Sequence, residues 1–138
     1  MAPCHIPPDH DPDVIKAVYA VGRELGVSGK VMLAAFEAGW VESHMNNLDC
    51  GDQDSLGVFQ QRPSQGWGRP EQIMRVPYAA KRFFTRAVRV EQRSPDLSPG
   101  RTAQAVQRSS FPDRYDEAEA KARALLAEAE ESARDEAA

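Results

Sequence analysis

Trp40-Val41-Glu42-Ser43-His44, then Asn46-Asn47, then Leu56-Gly57-Val58-Phe59-Gln60-Gln61-Arg62-Pro63, then Gly66-Trp67-Gly68, is the stretch on which the reading of this 138-residue chain turns. Ser28 is a good helix cap, and Val31, Ala34, Ala35, Ala38 and Val41 recur at helical spacing toward His44. Glu42 follows that apolar face by one residue, at the helix end, where the dipole mildly disfavours a carboxylate. A surface glutamate tolerates that position; a functional one uses it. Residues 46–55 are rich in Asn, Asp and Gly with a period of neither 2 nor 3.6, so they read as a polar loop. Residues 56–60 are short, apolar and partly extended, and residues 63–69, with Gly66 and Gly68 around Trp67, read as a rigid turn.

Outward from this stretch the pattern is helical. Asp11-Pro12-Asp13 caps and opens a helix whose apolar face is Val14, Ile15, Val18, Val21 and Leu25, and Gly26 ends it. Residues 70–74 form a short helix. Over 77–93 an amphipathic helix buries Ala80, Phe83, Phe84, Ala87 and Val88 and carries Arg82, Arg86, Arg89 and Arg93 on another face. Residues 102–108 form a short helix, and Phe111-Pro112-Asp113 restarts the chain into a long Ala/Glu-rich helix to about residue 136. That helix has few large apolar residues beyond Tyr115, Leu125 and Leu126, so its outer half is expected to be exposed. Scarce β-branched runs and abundant helix formers argue for an all-α fold. The expected division is an extended arm over 1–10, one domain over 11–115, and a terminal helix over 116–138 that reads as a linker stub.

Composition narrows the class. Apolar residues at 41% and charged residues at 28% are ordinary for a globular domain. The net charge of −4 conceals a basic middle. Residues 1–61 hold 3 basic and 9 acidic side chains, residues 62–112 hold 10 and 3, and residues 113–138 hold 4 and 9. Such a middle suits an anionic partner or is simply a solvated face. No run of about 18 apolar residues exists to span a membrane. Residues 1–8 lack the charged-then-apolar pattern of a secretory signal, so the chain is expected to be cytoplasmic when made, excised from a longer protein, or phage-delivered. Cys4 and Cys50 either bridge or stay free, and bridging would add roughly 4 kcal/mol in the chain-entropy model.

The Glu42-Ser43 pair, the downstream asparagines and Gly57-Val58-Phe59-Gln60 with Pro63, eighteen positions from Glu42 to Gln60, resemble the soluble lytic transglycosylase and goose-type lysozyme superfamily. The wording of residues 55–68 is most similar to its actinobacterial and actinobacteriophage branch. The resemblance covers roughly residues 12–115 and implies a lysozyme-like all-α domain. It also implies cleavage of the β-1,4 bond between N-acetylmuramic acid and N-acetylglucosamine in peptidoglycan glycan strands. By the same resemblance Glu42 is the single catalytic acid and base. It protonates the leaving oxygen, the substrate's N-acetyl group assists, and a 1,6-anhydro ring closes without water. Ser43 then orients the acid and Gln60 contacts substrate. Family members carry a supporting Tyr in a segment that corresponds here to residues 103–109, where Gln107 stands at about the Tyr position. Gln107 is expected to donate to the acid or to the N-acetyl group.

The residues themselves leave alternatives open. A general acid must keep its proton near neutral pH, which an apolar pocket favours; Trp40, Phe59 and Trp67 are the expected walls around Glu42. Trp67 either stacks on a sugar or belongs to the core. Gln60 is either a substrate contact or a satisfied structural amide. Asp49, Asp52 and Asp54 are turn residues, or else Asp52 or Asp54 activates water for hydrolysis, a role needing roughly 6.5–9.5 Å between carboxyls. Rival readings are such a hydrolase, a non-catalytic glycan-binding or virion module, and, last, nucleic-acid binding through the arginine face of residues 82–93. His5, His10 and His44 show no ligand spacing with the cysteines, so neither metal nor cofactor is expected, and the chain is expected to act as a monomer.

Overall fold

The computed structural model describes residues 3–138. These form seven α-helices and no strand: α1 (Pro12–Leu25), α2 (Gly29–Ser43), α3 (Pro70–Ile73), α4 (Val76–Arg93), α5 (Pro99–Gln107), α6 (Arg114–Glu117) and α7 (Glu119–Ala137). No helix among them is long and apolar enough to cross a membrane. Caps follow the local chemistry. Asp11 accepts from the Asp13 N–H at 2.9 Å, Ser28 accepts from Val31 at 3.1 Å, and Gly26 closes α1 at φ 66°. The helix expected to begin at residue 102 begins at Pro99, because Ser98 caps it and proline suits the first helical position. The helix expected to run on unbroken from 113 is interrupted at Ala118, between α6 and α7.

The fold is organised around α2. One apolar face was expected, yet every residue from Val31 to Gly39 is buried, Phe36 and Glu37 completely. The helix is wrapped by α1, α4, α5, α6 and α7. An element apolar on all sides behaves this way because it has no face to give to water. At its end His44 and Met45 both adopt left-handed backbone, φ 52° and 59°, which turns the chain back and buries Met45. Gly39 makes room, since a Cβ there would lie 2.4 Å from the Met45 sulfur.

The two ends of the chain are tied to this core. Cys4 and Cys50 are joined in a disulfide with their Cα atoms 5.5 Å apart, which settles the choice between bridge and free thiols. His44 Nδ1 bonds to the Pro7 carbonyl at 2.8 Å, and Asn46 Nδ2 donates to the Asp9 carbonyl at 3.0 Å. The segment 116–138, expected as a linker stub, instead packs on α1 and α2 through Ala122, Leu125 and Ala129, all buried. Alanines allow close helix approach without bulk, so a count of large apolar residues understates this face. His10–Glu128 (2.8 Å) and Lys16–Glu136 (2.5 Å) flank the contact.

Glu37 is the anomaly of the core. Both carboxyl oxygens are buried without a hydrogen-bond partner among the described residues. Burial pushes its pKa up to about 8; Asp116 and Glu119 push the same way, and Arg123 opposes them. An acid whose folded pKa lies above its unfolded value costs nothing below the unfolded value. It then destabilises increasingly as pH rises toward the folded one. Glu37→Met therefore gains stability relative to the parent as pH rises from 4 to 9, on the order of 3 kcal/mol. Chemical denaturation of both proteins across that range reads the difference, and parallel pH curves would show that Glu37 ionises without cost.

Candidate active site

A cleft of about 620 Å³ opens where the end of α2, the 56–61 turn, α4 and the end of α5 converge. Leu56 and Gln61 form an isolated antiparallel bridge, with N–H to carbonyl distances of 2.9 and 3.0 Å. Between them Gly57 (φ 82°) and Gln60 (φ 52°) make a tight reversal. Gly57 is required twice, for its dihedral and because a Cβ would meet the Ile73 carbonyl at 3.1 Å. The turn brings Gln60 and Arg62 to the cleft mouth, opposite Glu42 and Gln107, and α4 supplies Arg86, Arg89, Val90 and Arg93. Among the described residues Glu42 is the one acid lining this cleft.

Tyr115, completely buried, donates its phenolic hydrogen to Glu42 Oε2 at 2.5 Å. Burial raises the Glu42 pKa above the ordinary value, while bonds from Tyr115 and Gln107 and the charge of Arg114 pull it back without cancelling the rise. Burial and the adjacent carboxylate drive the Tyr115 pKa upward, so the phenol stays a donor. Gln107 also bears on the acid. Its amide nitrogen donates to the Phe59 carbonyl at 2.9 Å, pinning α5 to the turn. Tyr115 lies beyond the left-handed Arg108 (φ 53°), in α6, outside residues 103–109. A tyrosine in a helix poor in other large apolar residues was the available signal, since a buried phenol usually finds a partner.

The remaining expected site residues divide sharply. Ser43 is completely buried; its hydroxyl faces the Val58 carbonyl at 2.7 Å and the Gly39 carbonyl at 3.1 Å and accepts from the Asn46 N–H at 3.1 Å. It fastens α2 to the turn rather than orienting Glu42 or touching a ligand. Gln60 lines the cleft, but its amide nitrogen donates to the Cys50 and Gly57 carbonyls at 3.2 and 3.1 Å, so that group is structurally engaged. Trp67 is only 7% exposed, and the Arg86 guanidinium covers its ring at 3.6 Å. A ring so covered is not a free stacking platform.

Asp52 is exposed and Asp54 pairs with Arg62 at 2.6 Å; neither lines the cleft. The Arg62 and Ser64 hydrogen bonds hold the Asp54 carboxyl well below the usual carboxylate range. Of the three expected walls only Trp67 borders the cleft. Phe59 stacks on Phe83 in the core, and Trp40 stacks on His44 away from it. No cluster of His, Cys, Asp and Glu suited to a metal occurs among the described residues. Comparison with protein families and with curated proteins finds no match.

Tyr115→Phe removes a donor to the charged form of Glu42, so the Glu42 midpoint moves up, as ¹³C NMR of the side-chain carboxyl reads directly. The same change costs about 1–3 kcal/mol of stability near neutral pH, by denaturant unfolding. An unmoved or lowered midpoint would mean that the phenol does not hold the carboxylate.

Proposed function

We propose that this chain is a lysozyme-like peptidoglycan glycosidase acting as a lytic transglycosylase, which cleaves the β-1,4 bond between N-acetylmuramic acid and N-acetylglucosamine with Glu42 as acid and then base. The observation that carries the reading is a single carboxyl in a large cleft, its proton favoured by burial and one oxygen held by a buried tyrosine. Glycosidic cleavage needs a proton delivered to the leaving oxygen, and burial lets a carboxyl hold its proton to higher pH than a free one. With Oε2 held by Tyr115, the other oxygen is the one to face the scissile bond.

The route without water suits this cleft better than hydrolysis. An inverting hydrolase needs a second carboxylate, whereas Asp52 and Asp54 lie outside the cleft and Asp54 is already paired. The motif resemblance of residues 42–63 supports the same choice. Work at a cell wall agrees with the Cys4–Cys50 bridge, which persists in oxidising surroundings. A non-catalytic glycan-binding or virion module accounts less well for a carboxyl held by a buried tyrosine at the wall of a cleft.

Glu42→Gln lowers turnover of purified peptidoglycan by about 10²–10⁴-fold, and mass spectrometry of wild-type products finds 1,6-anhydro ends. Reducing ends in their place would overturn the transglycosylase in favour of a hydrolase. Equal fragment release by both proteins would overturn Glu42 itself.

A further inference from the structure

The cleft carries far more positive charge than a proton donor needs. Arg86, Arg89 and Arg93 line it from α4, Arg108 from the end of α5, and Arg62 from the turn. Arg62 is paired with Asp54, but among the described residues Arg89, Arg93 and Arg108 form no ion pair, and all three are exposed. Arg86 is immobilised by stacking on Trp67. Positions 86, 89 and 93 share one helix face, and 1.5 Å per residue spreads them over about 10 Å along it. Like charges brought together unpaired repel one another, and the arrangement gains from an anion.

The chemistry of the cleft selects among anions. Glu42 sits in the same cavity, flanked by the amide-bearing Gln60 and Gln107. A polymer with a charge at every backbone unit, such as a nucleic acid, would run its charges directly past the carboxyl. A strand of neutral sugars with acids on side branches presents an uncharged bond to Glu42 and leaves its carboxylates for the arginines. Guanidinium forks match carboxylates in paired hydrogen bonds.

We infer that Arg89, Arg93 and Arg108 form a docking wall for the free carboxylates of the peptide stems that branch from the glycan strand, an inference that rests on the glycosidase reading for its choice of ligand. The wall makes the enzyme specific for strands bearing acidic stems. It also sets the register of the strand, since each docked stem fixes which sugar linkage lies at Glu42.

The test measures binding in the Glu42→Gln background, so that it reads docking whether or not Glu42 cleaves. Insoluble peptidoglycan, native or with its carboxylates amidated by carbodiimide and ammonia, is sedimented with this protein and with the same protein also carrying Arg89→Gln and Arg93→Gln. The arginine replacements weaken binding to native material about tenfold or more, amidation weakens the parent similarly, and the two together cost no more than either alone. Additive losses, or no loss from the arginine changes, overturn the proposal. So does tighter binding of duplex DNA with a steep salt dependence. A failed glycosidase reading shows only in the fragment analysis above, so the two failures are told apart.

Discussion

One phenol donating to one half-buried carboxyl joins the parts of this molecule that matter. Tyr115 and Glu42 lie 73 residues apart, and their 2.5 Å hydrogen bond fixes where α6 sits against the last turn of α2. Placing α6 there also places the end of α5, because the two helices pack together and Gln107 donates to the Phe59 carbonyl of the 56–61 turn. The cleft wall opposite the turn is thus set by the interaction that also sets the chemistry of the acid.

Two glutamates of α2 show how much environment decides. Glu37 and Glu42 lie on the same helix, and burial raises the pKa of both. Glu37 has no hydrogen-bond partner among the described residues, and Asp116 and Glu119 outweigh Arg123 beside it, so its burial is a cost to the fold. Glu42 has a phenol partner and borders a cleft, so the same desolvation falls there on a group that is satisfied and accessible.

Around that acid the surroundings are polar rather than greasy. The aromatic walls expected of Trp40 and Phe59 are absent from the cleft, and Trp67 is capped by Arg86. Desolvation of Glu42 therefore comes from the packing of α2 against α5 and α6, with Tyr115 completely buried behind it. The open side of the cavity is left to amides and guanidinium groups.

Local chemistry in the chain was enough to specify the all-helical class, the caps at Asp11 and Ser28 and the position of Glu42 at a helix end, because each depends on neighbours within a few residues. Ser43, Gln60 and Trp67 were visible as a motif, yet their partners inside the protein were not: a hydroxyl, an amide and a ring take whichever partner the packed chain brings first. Tyr115 as partner of the acid, the Cys4–Cys50 bridge and the docking of α7 all join residues far apart in sequence. Contacts of that range leave no periodic trace in the chain. They arise only when α2, with no side to give to water, draws every other long helix around it.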